Sequence, residues 1–157
     1  MGDAQAGKVL GSCGILILIL IPIIAMKVLA GGAFNLIHPG HILFLTKAKE
    51  LGNYLVVVVA SDKTVLRNKG YLLMTAEARK KVLESLRAVD SALIGDDNDF
   101  FKVVEKVKPD IVALGYDQNL DKSLQKRIEG SGIRIVRIKS SDKRYKTEKI
   151  AGNIKRK

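Results

Sequence analysis

Residues 54–60 read Tyr-Leu-Val-Val-Val-Val-Ala, an unbroken apolar run dominated by valine. β-Branched side chains favour extended backbone, and a strand with no polar alternation has to be covered on both faces. Helical crossovers supply such cover, so this run points to a parallel sheet sandwiched between helices. The rest of the chain fits that demand. Residues 27–32 predict a first strand, 33–37 a turn, and a helix starts near His41 and stops at Gly52-Asn53. Residues 61–74 read as a polar loop with Lys63, Arg67 and Lys69, and Thr75 caps a helix running through Leu83 towards Ala88. Further strands are expected at 91–94, 111–114 and 133–138, with helices from Asp99 to about 107, over 120–129, and from about Thr147. The expectation is one doubly wound α/β domain with a five-stranded parallel sheet in the order 3-2-1-4-5, because crossovers are right-handed. Ligands of such sheets bind beyond the carboxyl ends of the strands, at the switch point between strands 1 and 4.

Whole-chain properties narrow the partners. The 157 residues carry 27 basic and 16 acidic side chains, a formal charge of +11 that favours anionic ligands. The single cysteine, Cys13, excludes an intrachain disulfide and a thiolate metal cluster within one chain. Residues 9–26 lack charge and include the run Ile15-Leu16-Ile17-Leu18-Ile19-Leu20-Ile21, a short membrane-like stretch broken by Pro22. Two readings stay open: a true start at Met26, or a genuine apolar leader. The chain is accordingly divided into residues 1–25 and a domain over 26–157, and a cytoplasmic location is expected unless the leader anchors it. From Asp142 to Lys157 seven basic and two acidic residues give a local +5. No aromatic platform or recognition helix accompanies them, so a nucleic-acid partner is not expected.

Both histidines of the chain lie in His38-Pro39-Gly40-His41, where the first strand gives way to its helix. Unpaired N–H groups and the positive end of the helix dipole favour an anion at that position. Pro39 fixes its own φ, Gly40 lets a ligand approach the backbone, and the two imidazoles add donors. Simple helix capping in water is the competing account. A second segment, Gly115-Tyr116-Asp117-Gln118, follows the fourth strand and is expected to converge on the same crevice.

Four motifs in order resemble the nucleotidyltransferases that carry His-x-Gly-His: residues 32–41, 79–90, Gly115-Tyr116-Asp117-Gln118, and 145–150. That family includes glycerol-3-phosphate cytidylyltransferase and archaeal FAD synthase. The resemblance covers about residues 26–154 and implies a Rossmann-like nucleotidyltransferase fold, possible homodimers, and transfer of a nucleotide to a phosphorylated acceptor with release of pyrophosphate. It implies Mg²⁺ or another divalent metal accompanying the triphosphate, with no protein metal ligand that can be named. Catalysis of that reaction is mainly positioning and charge neutralisation. The resemblance makes His38, His41 and Lys69 the catalytic candidates. Ala33, Phe34, Pro39, Gly40, Arg87, Gly115, Asp117, Tyr145 and Thr147 join the histidines as nucleotide-binding candidates. Arg67 and Arg79 are candidates for the acceptor phosphate. Arg79 and Arg87 are two helical turns apart and so near one face, with an ion pair such as Arg87 to Asp90 as the plainer role.

Residues 60–65 and Tyr116-Asp117-Gln118 look more like archaeal FAD synthase than its bacterial cytidylyl relative, which implies ATP and FMN as substrates. Cytidylyl or adenylyl transfer to a polyol phosphate is the alternative, and a non-catalytic nucleotide-binding module is a further one. Two departures bear on the acceptor. Many relatives have threonine and aspartate around the phenylalanine of the first turn, where this chain has Ala33 and Asn35.

Overall fold

A computed structural model describes residues 26–139. The apolar leader, Tyr145, Thr147 and the expected last helix lie outside the described residues. Strands β1 (Lys27–Gly32), β2 (Tyr54–Val59), β3 (Ser91–Ile94), β4 (Ile111–Leu114) and β5 (Arg134–Arg137) alternate with helices. These are α1 (Pro39–Lys49), α2 (Asp62–Lys69), α3 (Ala76–Glu84), α4 (Phe100–Val107) and α5 (Lys122–Gly130). The strands form one sheet in the order β3-β2-β1-β4-β5, with every pair parallel. The doubly wound order expected from the sequence is thus the order observed. Among the described residues no helix is long and apolar enough to cross a membrane.

The strand pleat divides the core in two. Val28, Ala30, Leu55, Val57 and Val59 point to one face, where Phe44, Leu45 and Ala48 of α1 and Leu83 of α3 cover them. Leu29, Val56, Val58, Val112 and Leu114 point to the other, under Phe101, Val103 and Val104 of α4 and Ile128 of α5. The first two crossovers therefore lie on one side and the last two on the other. Successive residues of the β2 run belong to opposite layers, which is why none of them is polar.

Residues 61–74 differ from expectation. Their first half is α2, not a loop: Ser61 caps it by accepting from the Thr64 N–H, and Gly70, at φ 75°, ends it in the left-handed region. Only Val65 of this short helix is buried, so its apolar periodicity is too weak to see in sequence. α3 ends at Glu84, short of Ala88, and Arg87 lies in the turn beyond it.

One polar side chain is built into this edge of the fold. Arg79 is fully buried. Its Nη1 donates to the carbonyls of Ala33 at 2.6 Å and Ala60 at 2.8 Å, its Nε to Met74 O at 3.0 Å, and its Nη2 to Asp62 Oδ1 at 2.6 Å. A planar guanidinium can serve four acceptors in fixed directions, and an ammonium cannot reproduce that fork. Arg79→Ala should lower unfolding stability by about 3 kcal/mol in urea titration, because it orphans the partners of a buried charge. Arg79→Lys should recover less than half of that loss, and a loss below about 1 kcal/mol for the alanine variant would refute the role.

Candidate active site

β1 ends at Gly32, and the next five residues turn into α1 through an unusual backbone. Phe34 has φ 47°, a left-handed conformation that costs a bulky residue roughly 1–3 kcal/mol. Its ring is buried, and Gly32 makes room for it: a Cβ on Gly32 would stand 2.9 Å from the ring. The ring meets His41 edge-on, with centroids 5.2 Å apart and an interplanar angle of 61°. Asn35 is also buried and uses both ends of its amide, donating to Tyr71 O at 3.3 Å and accepting from Leu73 N at 2.9 Å. An aspartate at this position would lack the donor for Tyr71. Packing, the Asn35 bonds and the Arg79 bond to Ala33 O together hold the strained turn.

His38 is the N-cap of α1, in extended conformation at φ −143°, and Pro39 opens the helix. The helix therefore begins two residues before His41. No side chain caps its first turn and no acidic residue lies in it, so the positive helix end carries no anion of its own. The two imidazoles stack with centroids 3.8 Å apart and planes 24° from parallel. Both Nδ1 atoms are buried and have no hydrogen-bond partner among the described residues.

The electrostatics follow from this packing. Burial pushes the His41 imidazolium down to about 4, the neighbouring His38 adds to the effect, and the Leu36 carbonyl opposes it. His38 is also lowered, first by burial, with its own backbone carbonyl acting in the opposite direction. Both shifts favour the neutral imidazole. A phosphate group against the stack would draw protons onto it.

The second wall leaves the neighbouring strand. β1 and β4 pair directly, and the chain after β4 turns through Gly115, Tyr116, Asp117 and Gln118 at the same edge of the sheet as the histidine turn. Gln118 Nε2 donates to Gly31 O at 2.7 Å while its Oε1 accepts from Gly115 N at 2.8 Å. The Gly115 loop is thus tied directly to the end of β1, the strand from which the histidine turn leaves. Asp117 and Tyr116 are exposed on this loop.

Other candidates fall elsewhere. Arg79 is buried beneath the turn with its guanidinium engaged by the chain itself, which places it behind the crevice and not on it. Arg87 is exposed near the start of β3, at the edge of the sheet opposite the histidines, since β2 and β3 are parallel and Asp90 N bonds Leu55 O. The two arginines therefore share no helical face, and Asp90 pairs with Lys49 at 2.5 Å, not with Arg87. Arg67 reaches the carbonyl of Asp97 beyond β3 at 3.3 Å. Lys69 is the exposed last residue of α2, two residues before Tyr71, whose carbonyl is tied to the histidine turn through Asn35. In the sequence Asn35 and Gln118 stand as members of the first-turn and Gly115 motifs, without their supporting roles as tether and bridge. Their type is generic, and only the partners they meet in space reveal them.

The fold and these walls define a doubly wound α/β domain with a paired-histidine crevice at its switch point. The cytidylyltransferase-like family model matches residues 29–154, and the chain belongs to that family. It is 48% identical over 119 residues to the FAD synthase of Ferroglobus placidus, covering 74% of this chain and 78% of that protein. It is 38% identical to the FAD synthase of Archaeoglobus fulgidus over 131 residues, 80% of this chain and 95% of the relative. Among solved structures, the lipopolysaccharide core biosynthesis protein of Thermoplasma volcanium superposes with a TM-score of 0.68 at 43% identity, over 75% of this chain and 99% of that one.

The buried stack has a pH signature. In an NMR titration the His41 ring should stay neutral down to about pH 4. The unfolded chain takes up this proton near pH 6.5, so the folded state should lose stability as the pH falls from about 6.5 towards 4. A His41 midpoint at or above 6.5 would contradict the packing described.

Proposed function

We propose that the protein is an FMN adenylyltransferase, transferring AMP from ATP to FMN to give FAD and pyrophosphate. The observation that carries the reading is the stacked pair of half-buried imidazoles at a helix start free of acidic residues. The FAD synthase relatives supply the substrate pair. In the reaction an FMN phosphate oxygen attacks the α-phosphorus of ATP, the bond to the bridging oxygen breaks, and pyrophosphate leaves with its electron pair. The attacking oxygen is already ionised, so the protein supplies alignment and charge neutralisation in place of a general base.

In this reading His38 and His41 hold the α-phosphate oxygens, and the first-turn N–H groups of α1 add to them. Backbone at Ala33, Pro39 and Gly40 lines the approach, while Phe34 acts from behind by holding the His41 ring. Asp117, exposed beside Gly115, takes the ribose or base. Lys69 at the end of α2 neutralises the pyrophosphate, and Arg67 is the remaining candidate for the acceptor phosphate. Tyr145 and Thr147 are assigned to the nucleotide from their motif alone. Among the described residues no group of three or more His, Cys, Asp or Glu is arranged to hold a metal. A divalent ion is treated as part of the ATP substrate, held by its phosphates. ATP and FMN are cytoplasmic compounds, and the proposal places the enzyme there.

Product analysis decides the acceptor. ATP with FMN should yield FAD and pyrophosphate, whereas CTP with glycerol 3-phosphate should yield no product; the reverse result replaces this reading with polyol-phosphate cytidylyl transfer. His41→Ala should lower kcat by about 100-fold or more, because it removes a preset donor to developing charge, with the fold kept as judged by circular dichroism. Turnover within threefold of the parent enzyme would remove His41 from the mechanism.

A further inference from the structure

We propose that Gln118 is a positioning residue, which together with Arg137 fixes the separation of the two walls of the nucleotide crevice. The proposal rests on the adenylyltransferase reading for its kinetic consequence, and on the structure alone for its mechanical one. Parallel pairing of β1 with β4 has register partners Val28 with Ile111, Leu29 with Val112 and Ala30 with Ala113. Beyond Ala30 the two chains must diverge, because one connection turns to each face of the sheet. Something has to set how far apart they open.

Gln118 does this across the gap. Its amide donates 2.7 Å to Gly31 O on one wall and accepts 2.8 Å from Gly115 N on the other, so both polar ends of one rigid planar group are occupied. Both ends are turned to the backbone of the two walls, which separates Gln118 from the exposed Asp117 and Tyr116 of the same loop. The loop is then clamped from outside. Arg137, the last residue of β5, directs Nη1 to the carbonyls of Gln118 at 2.6 Å, Gly115 at 3.0 Å and Tyr116 at 3.4 Å. With those carbonyls drawn towards β5 and the Gln118 side chain drawn towards β1, the loop is held from both directions. Gly31 is one residue from Gly32, against which Phe34 packs, and Phe34 in turn contacts His41. The bridge thus ends next to the backbone that orients the catalytic imidazole.

In-line transfer needs the α-phosphate and the attacking oxygen aligned to a few tenths of an ångström, and misplacement by about 1 Å can cost a hundredfold in rate. Asparagine is one methylene too short to span the same partners. Gln118→Met keeps the volume and removes both hydrogen bonds, and Gln118→Ala removes the side chain.

Two readouts test the bracket. In hydrogen exchange without substrate, the Gly115 amide should exchange at least about tenfold faster in either variant, since Gln118 Oε1 is its acceptor. In steady-state kinetics with ATP and FMN, kcat should fall about 30-fold while the calorimetric Kd for α,β-methylene ATP changes less than about threefold, the split expected of lost alignment. Should the alanine variant not fold, the methionine variant carries the test with packing preserved. Unchanged Gly115 exchange, or kcat within twofold of the parent enzyme, overturns the proposal. Absence of FAD formation by the parent enzyme rejects the adenylyltransferase reading instead, and the exchange experiment still decides the bracket.

Discussion

The carboxyl-end edge of this sheet depends on a buried cation. Four stretches of chain arrive at the carboxyl ends of β1 and β2: the first turn at Ala33, the end of β2 at Ala60, the start of α2 at Asp62, and the entry to α3 at Met74. Each presents an acceptor to the one guanidinium of Arg79. Strand ends carry carbonyls that the sheet no longer pairs, and a buried carbonyl without a donor is costly. A fork of fixed N–H directions satisfies these carbonyls and also fixes the angles at which the segments meet. The charge is balanced by Asp62, whose side chain reaches solvent, so only part of the pair bears the full desolvation cost.

The histidine turn is assembled against that support. Phe34 adopts a left-handed backbone that an isolated peptide would avoid, and it persists because the ring is buried between Gly32 and His41 while Asn35 and Arg79 bind the residues on either side. The strain places two imidazoles face to face at a helix start. Burial favours the neutral form of both rings. On the opposite wall the Gln118 and Arg137 contacts supply the matching constraint, so the crevice is held from both sides.

Much of this was legible in the chain itself. The apolar run of β2 announced a strand covered on both faces, the breaks at Gly52-Asn53, Pro109 and Gly130-Ser131-Gly132 separated the elements, and the spacing of the remaining strands left the order 3-2-1-4-5. The histidine pair and the Gly115 loop could be assigned to one crevice from topology alone. Helix α2 escaped notice because one buried residue makes no periodic pattern. Arg79 is different: a basic residue in a phosphate-binding motif looks like a ligand until its burial and carbonyl partners are known.

Sequence by itself determined the layers, the parallel sheet and the strand end at which the histidines sit, because those follow from periodicities of two and 3.6 residues and from the handedness of crossovers. Tertiary structure alone decided that Arg79 lies under the turn, that Arg87 lies on the far edge, that Asn35 grips residues 71–73, and that Gln118 spans the crevice. Each of these is a polar contact between residues 36 to 87 positions apart or an outcome of where a helix ends. A polar side chain has no sequence period to betray its partner, since its energy depends on a donor and an acceptor meeting within a fraction of an ångström after the chain has folded.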